Sequence, residues 1–260
     1  MAQRKNRWLT SKSLLRALTL LALLGTSACA TGDANDPGAN DPLESANRTM
    51  HGVNQAIDTL AIRPLGIMYR DLLPPIVQTG INNALRNLNS PRILANDLLQ
   101  GELDRAGTTF TRFLVNTTVG VAGLGDPATD MGYAYHDEDF GQTLAVWGVG
   151  EGPYLVLPVL GPSNPRDAAG IVVDHFLDPV NWWATATDHE NLTYARSVLA
   201  LASTRAEFDN TLEDLQRTSL DYYAALRSLY RQRRADQIRN GAPALGGFDL
   251  NSPAPGDPQN

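Results

Sequence analysis

The residues able to do chemistry are few in this chain, and their spacing argues against catalysis. Four histidines, His51, His136, His175 and His189, lie far apart. His136-Asp137-Glu138-Asp139 sets four possible metal ligands side by side. Cation sites draw ligands from spaced positions, so a solvated acidic loop is the expected role of this run. Asp167, Asp174 and His175 offer the parts of a hydrolytic cluster, but no motif joins them. Asp167 is better suited to pairing with Arg166 or capping a helix. There is no G-x-S-x-G nucleophile elbow and no H-E-x-x-H zinc helix. Gly120, Gly123 and Gly125 make no dinucleotide fingerprint, and no βαβ pattern surrounds them. Lys5 and Lys12 are the only lysines, so none remains further along for a phosphate loop or a Schiff base. The expectation is a protein that is not an enzyme and holds no metal or cofactor.

One residue invites modification. Cys29 is the only cysteine and has no internal disulfide partner. Before it come a basic stretch (Arg4, Lys5, Arg7, Lys12, Arg16), an apolar run from Ala17 to Leu24, and the small residues Gly25 to Ala28. That order is a secretory signal. The apolar run falls short of the roughly 20 residues of a membrane span. Residues 1–28 are therefore read as a removable leader. Cys29 is then either the lipidated first residue or a bystander at an ordinary site, Thr26-Ser27-Ala28 or Ala28-Cys29-Ala30. Lipidation is expected, because a lone thiol is a liability in an oxidising compartment. Ala30 follows, not the aspartate that commonly holds lipoproteins at the inner membrane, which points to the outer membrane.

Charge narrows the partners. Without the five basic residues of the leader, 16 basic side chains face 28 acidic ones, a formal charge of −12. Nucleic acid is excluded, since it is bound largely through Lys and Arg on phosphate. Charge attraction to anionic lipid is excluded too, so membrane contact must be apolar or through the anchor. About 230 residues can bury one good core or two small ones.

The elements that would position these residues read as helices. Residues 29–40 are a small, polar tether that reaches at most ~40 Å. Residues 241–260 read as a loose tail. In the body, 41–240, Val53, Ala56, Ile57, Leu60 and Ala61 share one helical face, and Pro64 should stop or kink that helix. Leu65, Met68 and Leu72 make a second piece, closed by Pro74-Pro75. Val77, Ile81, Ala84, Leu85 and Leu88 make a third. Ser90-Pro91 looks like a fresh helix start and Gly101 like its stop. Leu103, Ala106, Phe110, Phe113 and Leu114 make another. From Leu192 to Leu229 a long C-terminal helix is expected. Arg227, Arg231, Arg233 and Arg234 crowd its end, as a solvated face suited to the helix dipole or as contacts to lipid phosphate. Each stripe reads first as a core-facing side; short amphipathic helices would also suit a headgroup layer.

Residues 119–165 break this pattern with frequent glycines. Leu144–Leu160 is apolar apart from Glu151, yet Gly148, Gly150, Gly152 and two prolines forbid a regular helix. Such a segment should be buried or should line an apolar path.

Asp41-Pro42-Leu43-Glu44 with Asn47-Arg48 resembles the opening motif of the MlaA/VacJ lipoproteins. Arg63-Pro64, Tyr69-Arg70-Asp71, Phe110-Thr111-Arg112-Phe113, Asn116-Thr117, Phe140-Gly141-Gln142-Thr143-Leu144, Gly148 through Tyr154, Gly161-Pro162-Ser163, Arg166-Asp167, Asp221-Tyr222 and Tyr230-Arg231-Gln232-Arg233 follow in order. The resemblance implies a mainly α, ring-like single domain in the inner leaflet of the outer membrane. It implies association with trimeric porins and an amphipathic channel that passes phospholipid to a periplasmic, MlaC-like carrier. It also implies no enzymatic activity, and a mobile loop at the channel made of Gly148, Gly150, Gly152 and Tyr154. The alternative carried with it is a porin-associated scaffold that moves no lipid.

Overall fold

Prolines punctuate the chain less than their number suggests. The computed structural model describes residues 41–240; the leader, Cys29, the tether and the tail at 241–260 lie outside the described residues. Helix α1 (Glu44–Ile57) passes through a π-helical turn (Asp58–Ile62) directly into α2 (Arg63–Leu72). Pro64 therefore does not stop the helix. A pyrrolidine ring clashes with the carbonyl four residues back, and the wider π turn, with Arg63 N–H bonded to Asp58 O, makes room for it. Pro74-Pro75 does break the chain: Leu73 is extended and Pro75 opens α3 (Pro75–Gln100).

Helix α3 runs 26 residues straight through Ser90-Pro91, so no new helix starts there. The Ser90 hydroxyl donates to Arg86 O at 3.2 Å instead of capping. Gly101 ends α3 in a left-handed conformation, as expected. Then come α4 (Leu103–Thr118), short α5 (Pro127–Asp130) and α6 (Phe140–Val146), followed by an antiparallel hairpin of β1 (Leu155–Leu157) and β2 (Gly161–Ser163). Helices α7 (Pro165–Leu177), α8 (Pro179–Ala186), α9 (Glu190–Thr218) and α10 (Tyr222–Ile238) complete a mainly helical domain. The single long C-terminal helix is thus two. Asp221 separates them by capping α10, accepting from Ala224 N–H at 3.2 Å.

Helix α3 packs on α4, α2 on α9, α6 on α7, and α10 on α6 and β2. What they enclose overturns the core-facing reading of the stripes. Among the described residues the buried set holds 21 polar or charged side chains and 9 apolar ones. On α4, Leu103, Phe110 and Leu114 are exposed while Thr109, Arg112 and Asn116 are buried. On α1 to α3, Val53, Leu60, Met68, Leu72 and Val77 are exposed as well. The largest side chains of these stripes thus face outward, with Ala106 buried and Ile81, Leu85 and Phe113 between, against the usual order of a soluble protein. No described helix is long and apolar enough to cross a membrane.

Candidate functional site

The glycine-rich segment hangs between two fixed ends. At its start, the Trp147 indole donates to Leu99 O at 3.0 Å and stacks edge-on against Phe140 at 5.7 Å. At its end, Tyr154 is only 4% exposed and packs with Val156 and Tyr223. Between them, Gly148 and Gly152 take left-handed φ values of 87° and 71°, which a side chain would strain. A Cβ at Gly148 or Gly150 would touch nothing within 4 Å, so the tip is open. Glu151 reaches Arg231 of α10 at 3.2 Å. The segment thus divides into an open tip, Gly148 to Gly150, and a clasped base. Tyr154, grouped with the loop in the sequence reading, stands at the fixed end.

Two asparagines seven residues apart on α1 hold that base. The Asn47 amide donates to Tyr154 O at 2.9 Å and accepts from Val156 N–H at 3.0 Å. The Asn54 amide donates to Leu157 O at 2.8 Å and accepts from Val159 N–H at 2.8 Å. Each carboxamide supplies the donor and acceptor that a neighbouring strand would supply, so α1 satisfies the free edge of β1.

Behind the loop lies the polar interior. Arg234 of α10 holds Asp139 through two bonds, 2.6 and 2.7 Å, and Asp167 at 2.9 Å. Burial pushes the Asp139 carboxyl up, but Arg234 and Gln142 outweigh it and keep it below the ordinary carboxylate range. Tyr230 donates to Asp167 at 2.5 Å, and burial together with that bond raises the phenol. Arg234 is buried, so the solvated-face reading fails for it. Arg233 lies over Phe208, and Arg231 holds the loop.

The His136–Asp139 run is not a solvated acidic loop. Its members reach six partners: His136 meets Asp97 and Thr109, Asp137 meets Arg92, Glu138 meets Arg105 and Gln100, and Asp139 meets Arg234. Burial raises the Glu138 carboxyl, and Gln100 and Arg105 work against it, while the Asp137 side chain stays half exposed. Among the described residues no group of three or more ligands is arranged for a metal ion. The imagined hydrolytic cluster does not assemble either. Asp167 pairs with Arg166 at 3.1 Å, as expected, and with Arg234. Asp174 accepts from Asn96, Arg92 and Phe140 N–H, and His175 meets Asn181.

The family model for the MlaA lipoprotein matches residues 39–237. The chain belongs to the MlaA lipoprotein family. Its relatives include the "intermembrane phospholipid transport system lipoprotein MlaA" of Escherichia coli K12, 36% identical over 86% of this chain and 90% of that one. The protein of the same name from Haemophilus influenzae is 30% identical over 87% and 93%. A solved chain from work on the structural basis for maintenance of bacterial outer membrane lipid asymmetry has a TM-score of 0.66, at 33% identity. It covers 76% of this chain and 98% of that one.

For an MlaA-family chain, sequence reasoning missed two things. Asn47 was legible as part of the opening motif, but its role as a strand surrogate was not, and Asn54 carried no signal beyond its spacing. The burial of Arg234 was hidden among three neighbouring arginines of ordinary appearance.

Proposed function

We propose that this protein withdraws misplaced phospholipid from the outer membrane and passes it to a periplasmic, MlaC-like carrier, so keeping the two leaflets distinct. The observation that carries the reading is the inverted body: paired polar groups inside, large apolar side chains outside. An exposed apolar surface of this extent is costly in water and stable in lipid. Phe176, Trp182, Trp183 and Tyr194, each more than half exposed, have the aromatic character favoured at headgroup level. A headgroup crossing an apolar layer loses hydration, and polar groups along the path offset that loss. Direction comes from the carrier that takes up the lipid, so the protein needs no catalysis of its own.

In this reading Cys29 carries the lipid anchor on the periplasmic face of the outer membrane. A trimeric porin is the neighbour in the membrane. The open tip at Gly148 and Gly150, hinged at Gly152 and held by Tyr154, admits or blocks lipid. The test is the surface phospholipid of cells lacking the gene, complemented with wild type or Cys29→Ala. Excess outer-leaflet phospholipid corrected only by wild type supports transport and anchor together. Correction by both variants keeps transport and removes the need for the anchor. No excess on deletion sinks transport and leaves the porin-associated scaffold.

A further inference from the structure

One face of α3 changes from apolar to polar along its length. Ile76, Val77 and Ile81 form one wall of an open depression of about 750 Å³, and Val121 and Leu124 form the other. That second wall is an unusual turn: Val121, Ala122 and Gly123 all have left-handed φ, at 54°, 56° and 87°. Bonds from Ala122 N–H to Thr117 O and from Gly123 N–H to Asn116 O hold it, and Val121 is left 69% exposed. Non-glycine residues keep such backbone only where their surroundings enforce it.

Farther along α3, Asn83, Arg86 and Asn87 line a polar hollow of about 10 Å³, room for one water. Gly80 and Arg86 are separated by about 9 Å of helix rise. Asn83 donates to Leu124 O at 3.2 Å, and Asp126 borders both spaces. The buried Asn87 Oδ1 has no partner. Arg86 is exposed, lies over the Tyr135 ring at 5.0 Å, and reaches no carboxylate among the described residues. Its neighbour Arg112 is already engaged, through Nη2 with Asp126 at 2.8 and 3.0 Å and through Nη1 with Thr129 and Tyr133 O. Asp126 is thereby neutralised, and Asp130 on the depression stays exposed.

We propose that this face of α3 binds a phospholipid, with one acyl chain in the depression and the phosphodiester on Arg86. A guanidinium free of acidic partners matches a phosphate in geometry and charge. Exposed Asp130 favours a zwitterionic headgroup over one with further negative charge. The proposal rests on the lipid-handling reading and gives it a binding site apart from the glycine loop.

The test uses the full chain in non-ionic detergent and phosphatidylethanolamine carrying a diazirine on its acyl chain. After photolysis, peptide mass spectrometry should place the label on residues 76–81 and 119–125. Arg86→Gln should lower that label roughly tenfold, the worth of one charge-assisted pair. A diacylglycerol probe with the same chain should label weakly and ignore Arg86→Gln. Gly80→Leu should fill the depression and abolish the label; a Cβ there meets only Leu124, at 3.8 Å. Unchanged thermal melting of Arg86→Gln, an exposed position, confirms that its loss of label is not misfolding. Label confined to other segments, or equal label in wild type and Arg86→Gln, overturns the proposal. Labelling reads binding and the surface-phospholipid assay reads transport, so each can fail alone.

Discussion

A Cβ on Gly170 would lie 2.4 Å from the backbone nitrogen of Gly141, so α6 and α7 cross backbone against backbone. This crossing lets Asp139, the cap of α6, and Asp167, in the first turn of α7, converge on the same guanidinium of Arg234. Gly170→Ala has no flexible side-chain end to push aside and must part the helices. A loss of about 1–3 kcal/mol is expected, read as a lower urea midpoint. Gly141→Ala should act more directly, since its Cβ would lie 2.5 Å from Arg234 Nη2. Wild-type midpoints in both variants would mean the helices separate freely.

Arg234 should tolerate no replacement. Arg234→Met leaves Asp139 without its cation and Asp167 with the Arg166 cation alone, and should cost about 3–5 kcal/mol. Arg234→Lys keeps the charge but cannot hold Asp139 at two points while reaching Asp167, so it should fall between. Thermal melting of the pair decides: a lysine variant as stable as wild type would show that the fork does not matter.

Removing an α1 carboxamide should loosen the hairpin that ends the glycine loop. Asn47→Ala removes the amide that bonds Tyr154 O and Val156 N–H in a buried place, costing about 1–3 kcal/mol. Hydrogen exchange at the Val156 amide should accelerate more than at amides in α9. Half-buried Asn54→Ala should give a smaller change of the same kind at Val159. Uniform acceleration along the chain would mean that Asn47 supports the whole fold and not the hairpin.

Gly148→Ala strains a φ of 87° yet meets no neighbour, so it should cost only about 1 kcal/mol. If the open tip gates lipid, surface phospholipid should rise in this variant while its melting temperature barely moves. Unchanged surface phospholipid would remove Gly148 from the gate.

Acid should weaken the tie between α1 and α10. Arg48 bonds to Asp221, at 2.5 Å for its Nη2, hold that carboxyl at about 2, below its ordinary 3.8. A depressed carboxylate contributes stability above its unfolded value, and that contribution fades as pH falls through 3.8 toward 2. Asp209, held low by Arg205 and Arg70 against burial, and Asp126, held low by Thr129 and Arg112 against burial, act in the same direction. Glu138 and Asp174, raised by burial, act oppositely as they take up protons. In Asp221→Asn the fall in urea midpoint between pH 5 and 3 should be shallower than in wild type. An identical slope would place the acid sensitivity in the other pairs.

The sequence by itself determined the helical class, the breaks at Pro74-Pro75 and Gly101, the irregular 148–154 segment and the lack of catalytic spacing. These are local properties: backbone torsions, missing N–H groups and residue order act over a few neighbours. Tertiary structure alone decided which way each helix faces. A stripe such as Leu103, Phe110 and Leu114 seeks any apolar medium, and periodicity cannot tell a protein core from a bilayer. Only the pairing of Arg112, Arg234 and the asparagines with distant partners filled the interior with polar groups and turned those stripes outward. The same limit hid Pro64 and Pro91 inside helices: a π turn makes room for the first, and α3 runs on through the second.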